Sequence, residues 1–160
     1  MYTLPDPMRL RNAVSGDAEF CRLLYASTRD DLRQLPLEQA MIDALIAMQQ
    51  QAVETGQRTN FPDAQTLILE YGDVPAGRMV LDTGGQPWRL VDLALMPAMR
   101  KRGLASALLA ALQQRARSEG AGIGLAVMRT NAQALHLYQR HGFTIVSGND
   151  IAHDMVWLPA

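Results

Sequence analysis

The chain has 160 residues, a length that predicts one domain, and its 48% hydrophobic and 19% charged residues describe an ordinary globular composition. A formal net charge of −1 excludes the broad basic excess of a dedicated nucleic-acid binder, so any anion site has to be a local feature. A single cysteine, Cys21, excludes an intramolecular disulfide and fits a reducing compartment.

Residues 1–11 hold Pro5, Asp6 and Pro7 and lack the continuous apolar segment of a secretory signal. No apolar run reaches the ~20 residues that span a bilayer. The expectation is a soluble, cytoplasmic protein without a membrane partner. A first strand is expected over 8–13. Ser15-Gly16-Asp17 then opens a helix with Phe20, Leu23, Leu24 and Ala26 at helical spacing, and Cys21 among them as a small core residue. Pro36 suits the first turn of a second helix, which runs through Met41, Ala44, Leu45, Met48 and Ala52 and stops near Gly56.

The period then changes. Strands are expected over 66–71 and 76–81, joined by Gly72-Asp73. Gly84-Gly85 turns into a strand over 88–96 whose stretch from Leu90 to Leu95 is apolar except for Asp92, the pattern of a central strand covered on both faces. A helix over 103–119 closed by Gly120, a strand over 123–127, and a helix from Asn131 to Gly142 follow. Strands over 143–147 and 151–158 finish the chain. No repeat or linker divides it, and the order of elements is that of a mixed sheet with helices on both faces.

The informative stretch is Pro97-Ala98-Met99-Arg100-Lys101-Arg102-Gly103-Leu104-Ala105-Ser106. Leu104, Leu108 and Leu112 form one stripe of the helix that follows, but its start is a poor one for stability. Three cations stand at the positive end of the helix dipole, where each costs ~0.3–1 kcal/mol when exposed. No Asp or Glu occupies the first turn, and no Ser, Thr, Asp or Asn is ready to cap it. Unpaired backbone N–H groups, the dipole and two or three side-chain cations therefore face one place, and a bound anion would satisfy them all. Gly103 permits the backbone angles of an N–H-lined nest, and Ala105 keeps the approach open. The G-x-x-x-x-G-K-[ST] and G-x-G-x-x-G phosphate loops are both absent.

What remains, Arg100-x-x-Gly103-x-Ala105 after an apolar strand, resembles motif A of the GNAT superfamily of N-acetyltransferases, [QR]-x-x-G-x-[GA]. A second segment resembles the same family: Leu125-Ala-Val127, Asn131-Ala-Gln-Ala134 and Leu137-Tyr138-Gln-Arg-His-Gly142-Phe143. The resemblance implies an α/β (α+β) single-domain GNAT-like fold over 1–160, with a central mixed, mostly antiparallel sheet splayed at the cofactor site and helices on both faces. It implies acetyl-coenzyme A (acetyl-CoA) as co-substrate, with backbone amides of Arg102, Gly103, Leu104, Ala105 and Ser106 on the diphosphate and Arg100 adjacent. It also implies that the backbone of Leu93, Ala94 and Leu95 pairs with the pantetheine arm like an added strand.

Asn131 reads in its own right as a helix N-cap, and the resemblance adds a contact to the cofactor arm. Tyr138, two turns later on the same face, packs with Ala134 and Leu137 in the bland reading. The resemblance makes it the general acid that protonates the departing thiolate. Asp92 is the candidate base, because burial in an apolar strand raises a carboxyl pKa; an ion pair with Arg78 or Arg89 would lower it. Ser106 has no nearby base-and-orienter pattern in the sequence and reads as an anion ligand, not a nucleophile. His136, expected to point away from Tyr138, His141 and His153 read as surface or structural residues, and no metal site is expected. Substrate selection is expected in the first two helices and their loop, over 25–37, and in the link between the last strands; Thr28, Arg29, Asp30 and Asp31 there either meet a polar or charged acceptor or form a solvated loop.

The expected activity is direct acetyl transfer from acetyl-CoA to a primary amine of a small molecule or peptide, by a monomer or homodimer. A catalytically silent acetyl-CoA-binding module is the alternative. A nucleic-acid contact through Arg100-Lys101-Arg102 is the third reading, and the net acidity counts against it.

Overall fold

The structure, a computed structural model, describes residues 2–160, and Met1 lies outside the described residues. The chain runs β1 (Met8–Asn12), a 3-10 turn (Ser15–Asp17), α1 (Ala18–Ser27), α2 (Asp30–Arg33), α3 (Gln39–Asn60), β2 (Gln65–Tyr71), β3 (Val74–Asp82) and β4 (Trp88–Leu95). A second 3-10 turn (Pro97–Met99) leads into α4 (Leu104–Ser118), β5 (Ile123–Met128), α5 (Ala132–Arg140), β6 (Thr144–Gly148) and β7 (Ala152–Trp157). The seven strands form one sheet in the order β1-β2-β3-β4-β5-β7-β6. Every pairing is antiparallel except β4 with β5.

The alternation of β2 and β3 divides their side chains between two faces. Leu67, Leu69, Met79 and Leu81 join the core formed with Leu104, Leu108, Leu109 and Leu112 of α4 and Tyr138 of α5. Ile68 and Val80 are buried on the opposite face, where α1 packs on α3 and on β3 and contributes Leu24, as α3 contributes Ile42 and Ile46. The predicted helices on both faces and mostly antiparallel mixed sheet are what the chain forms.

The second helix departs from expectation. It starts at Gln39, after Pro36, and a short helix, α2, precedes it. It passes through Gly56 and ends at Asn60, because Phe61 precedes Pro62 and leaves the helical region with φ −135° and ψ 69°. Its buried residues are Ile42 and Ile46, with Leu45 half-buried beside them; Met41 and Met48 are 54% and 57% exposed. Cys21 is half-buried rather than a full core residue, and burial pushes its thiol pKa up. No helix among the described residues is long and apolar enough to cross a membrane.

The sheet opens at its centre. β4 and β5 pair only at Trp88↔Ile123 and Arg89↔Gly124. Val80 then pairs with Asp92 and Leu81 with Leu90, which leaves Val91 as the extra residue of a β-bulge. A bulge bends its strand, so β4 leaves β5 just past the last shared pair. Leu93, Ala94 and Leu95 keep β3 as partner on one side and have no strand on the other.

Candidate active site

A pocket of about 710 Å³ fills this opening, bounded by β4, the loop before α4, the first turn of α4, α5, and the α1–α2 corner. The loop has the geometry that the residue pattern called for. Lys101 and Gly103 both adopt left-handed backbone, with φ 59° and 78°. Gly103 stands at the N-cap of α4, and no side chain caps the helix there. A Cβ at residue 103 would meet nothing within 4 Å, so glycine is needed for its backbone angles and not for space. The first amides of α4 are left facing the pocket, which Gly103, Leu104, Ala105 and Ser106 line.

Two of the three cations join them. Arg100 and Lys101 line the pocket, and Arg100 donates from Nε to the Leu95 carbonyl at 3.0 Å and from Nη2 to Ser27 Oγ at 3.4 Å. The Arg102 side chain instead stacks over Tyr71 of β2, 4.6 Å from the ring centroid, so only its backbone remains near the loop. Of the two or three cations expected there, two face the pocket, and an aromatic face in reach holds the third side chain away from it.

At the other end of the pocket the opened sheet brings together groups from both of its faces. Asp92 shares the face of its pairing partner Val80, whereas Tyr138 belongs to the core on the α4 face. Through the gap between β4 and β5 both line a smaller cavity of about 160 Å³, together with Leu93, Val127 and Asn131. Tyr138 and Asn131 line the large pocket as well. Asn131 does cap α5, accepting from the Ala134 amide at 3.2 Å.

Asp92 pairs with Arg78, Nη1 to Oδ2 at 3.2 Å, while Arg89 stacks on Phe61 instead. Burial raises the Asp92 pKa in spite of the Arg78 cation, which pulls the other way. The Tyr138 phenol is pushed up to about 12, first by burial and then by the Asp92 charge. The tyrosine therefore keeps its proton, and the carboxyl is moved toward a range where it can exchange one.

Several pocket residues were not anticipated. Gln133, His136 and Arg140 of α5 line it, and their spacing of three and four places them on one helical face with Leu137, a signal the sequence carried. His136 is exposed where Tyr138 is buried, as expected of residues on different sides of the helix, and it borders the pocket from the rim. From the α1–α2 corner Ser27, Thr28 and Asp30 reach the pocket, whereas Arg29 and Asp31 pair with each other at 3.0 Å. Ser106 was read as having no base beside it, but His141 Nε2 lies 2.7 Å from its hydroxyl. Thirty-five positions separate the two, and no local pattern joins them. Among the described residues no group of three His, Cys, Asp or Glu side chains is arranged to hold a metal ion.

The chain matches the model of the acetyltransferase (GNAT) family over residues 27–143. It belongs to that family and is an acyltransferase. No curated protein matches it by sequence. Among solved structures it shares its fold with PaiA N-acetyltransferase from Thermoplasma acidophilum in complex with coenzyme A, at 16% identity and TM-score 0.70, covering 94% of this chain and 98% of that one. An acetyltransferase from Thermus thermophilus is 19% identical with TM-score 0.68 and 99% of both chains covered. A GNAT-family acetyltransferase from Streptococcus pneumoniae is 20% identical with TM-score 0.58, covering 96% of this chain and 99% of that one.

Proposed function

We propose that this protein transfers the acetyl group of acetyl-CoA directly to a primary amine, as a cytoplasmic enzyme acting on a small molecule or peptide. The observation that carries this reading is the uncapped, cation-flanked start of α4, which opens into the same pocket that Tyr138 lines. The amides from Arg102 to Ser106, with the helix dipole and the Arg100 and Lys101 charges, suit a diphosphate. The strandless side of Leu93, Ala94 and Leu95 suits an extended amide-bearing arm. The Leu95 carbonyl already accepts from Arg100, which leaves Leu93 and Ala94 the freer partners.

The chemistry then falls to the far end of the pocket. Amide formation needs a neutral amine, and Asp92, with its raised pKa, is the group placed to take the ammonium proton. The amine nitrogen bonds to the thioester carbon, the carbon–sulfur bond breaks, and the sulfur leaves with the bonding electrons. Tyr138 supplies the proton that neutralises the departing thiolate. Asn131 borders both cavities and steadies the start of α5, on which Tyr138 is carried. Ser27, Thr28 and Asp30 face the pocket where a polar acceptor would enter.

A thermal-shift titration with acetyl-CoA tests the binding half of this reading. Ligand at 100 times its Kd is expected to stabilise the fold by about 2.7 kcal/mol. No shift at millimolar acetyl-CoA overturns it. Release of free thiol in the presence of a panel of primary amines tests the transfer half, and binding without turnover across the panel would favour a silent binding module.

A further inference from the structure

Ser106, His141 and Gln113 form a hydrogen-bonded chain that ends at the pocket wall. Ser106 Oγ lies 2.7 Å from His141 Nε2, and His141 Nδ1 lies 3.3 Å from Gln113 Oε1. Gln113 Nε2 donates to the His141 carbonyl at 2.7 Å. These contacts determine where the protons sit. An amide NH2 only donates, so the bond to the carbonyl orients Gln113 and turns its oxygen to the ring. That oxygen only accepts, so Nδ1 must carry hydrogen. In the neutral ring Nε2 is then the acceptor, and the Ser106 hydroxyl hydrogen is committed to it. In that state Ser106 offers lone pairs to the pocket, the wrong polarity for an anion. In the imidazolium Nε2 donates to Oγ instead, and the hydroxyl hydrogen is released to point into the pocket.

We propose that His141 is a positioning residue that acts through Ser106, so that binding of the diphosphate-bearing substrate is coupled to uptake of a proton by the ring. The inference rests on the reading of this pocket as the acetyl-CoA site. Burial lowers the His141 pKa and Arg140 of α5 adds to that effect. From α4 the facing groups are the neutral Ser106 and Gln113. From β7, Trp157 borders Gly142 and carries Arg117 over its ring at 5.3 Å. Arg100 and Lys101 line the same pocket as Ser106. An incoming dianion offsets these charges and raises the ring pKa. The bound pKa then exceeds the free one, so affinity rises as pH falls from the first value to the second and is flat above the first.

The experiment is calorimetry with dephospho-coenzyme A, whose diphosphate charge does not change near neutrality, in two buffers of different ionisation enthalpy. The wild type is expected to take up a fraction of a proton on binding and to bind roughly threefold to tenfold more tightly at about pH 6 than at about pH 8. His141→Gln and Ser106→Ala should each abolish that pH ratio. Nitrogen NMR of His141 in the wild type needs no variant, and should show Nδ1–H in the free protein and a raised pKa with ligand. Tight binding without proton uptake overturns the coupling and leaves the acetyl-CoA reading standing. A pH ratio that survives Ser106→Ala overturns the route through Ser106. Failure of both dephospho-coenzyme A and acetyl-CoA to bind the folded wild type overturns the pocket assignment and this inference with it.

Discussion

Asp92 sits 3.2 Å from the Arg78 guanidinium and still has a raised pKa, because burial in β4 outweighs the neighbouring cation. Arg78 is itself strained for partners, with a buried Nε that has none among the described residues. The pair is thus less than a full neutralising salt bridge, and a carboxyl in that state can exchange protons nearer neutrality than an exposed one.

If Asp92 is the base, it works deprotonated, so kcat/KM should fall as pH drops through its pKa, at a pH above the usual carboxylate range. Asp92→Asn is expected to remove that acidic limb and lower the plateau by ~10²–10⁴. A pH–rate profile of both proteins checks this. An unchanged limb in the variant would assign the deprotonation to another group or to water.

Tyr138 holds its proton up to about 12, so it is available as an acid across the working range. Tyr138→Phe should reduce kcat by ~10²–10⁴ while the Kd for acetyl-CoA changes little. The ring's edge contact with Phe143, at 5.7 Å between centroids, does not need the hydroxyl, so the variant should fold. Steady-state kinetics with a calorimetric Kd separates loss of chemistry from loss of binding.

Gly103→Ala adds a methyl group into open space but forces alanine to φ 78°. The left-handed conformation should cost about 1–2 kcal/mol, read as a lower urea midpoint, or else the loop relaxes and acetyl-CoA binding weakens. Gly103→Asn, which tolerates the left-handed region better, should recover part of either loss. A larger loss with Asn than with Ala would point to side-chain size rather than backbone as the cause.

Away from the site, Asp17 accepts two hydrogen bonds from Arg11, both at 2.8 Å, and one from the Val14 amide. These hold its pKa down to about 2. Because the folded pKa lies below the unfolded one, the stabilisation is fully present above the unfolded value of about 3.9 and is lost as pH falls through the folded value. Asp17→Ala should therefore cost roughly 1–2 kcal/mol at neutral pH, discounted for the partial exposure of Arg11, with the gap closing toward about pH 2. Urea unfolding of both proteins at several pH values measures it.

How much was readable in advance depended on range along the chain. The start of α4 was legible because its signals lie within ten residues: three cations, a glycine, no cap and no acid. The bounds of α3 were not, because Met41 and Ile42 are equally apolar and only packing against the sheet decides which of two adjacent stripes is buried. Whether two or three side chains would face the pocket stayed open for a similar reason, which Arg102 shows. Its charge is evident, but the Tyr71 ring that captures it comes from a different strand.

The amino-acid sequence by itself determined the class of the fold and the uncapped, cation-flanked start of α4, since helical and strand periods, turn glycines and uncapped helix ends act over one or two turns of chain. Only the tertiary structure decided that a one-residue bulge at Val91 would part β4 from β5, and that Asp92 and Tyr138 would meet through the gap from opposite faces. It alone set His141 against Ser106. Such relationships depend on strand register and on which helix covers which face, and these are settled by packing among residues far apart in sequence.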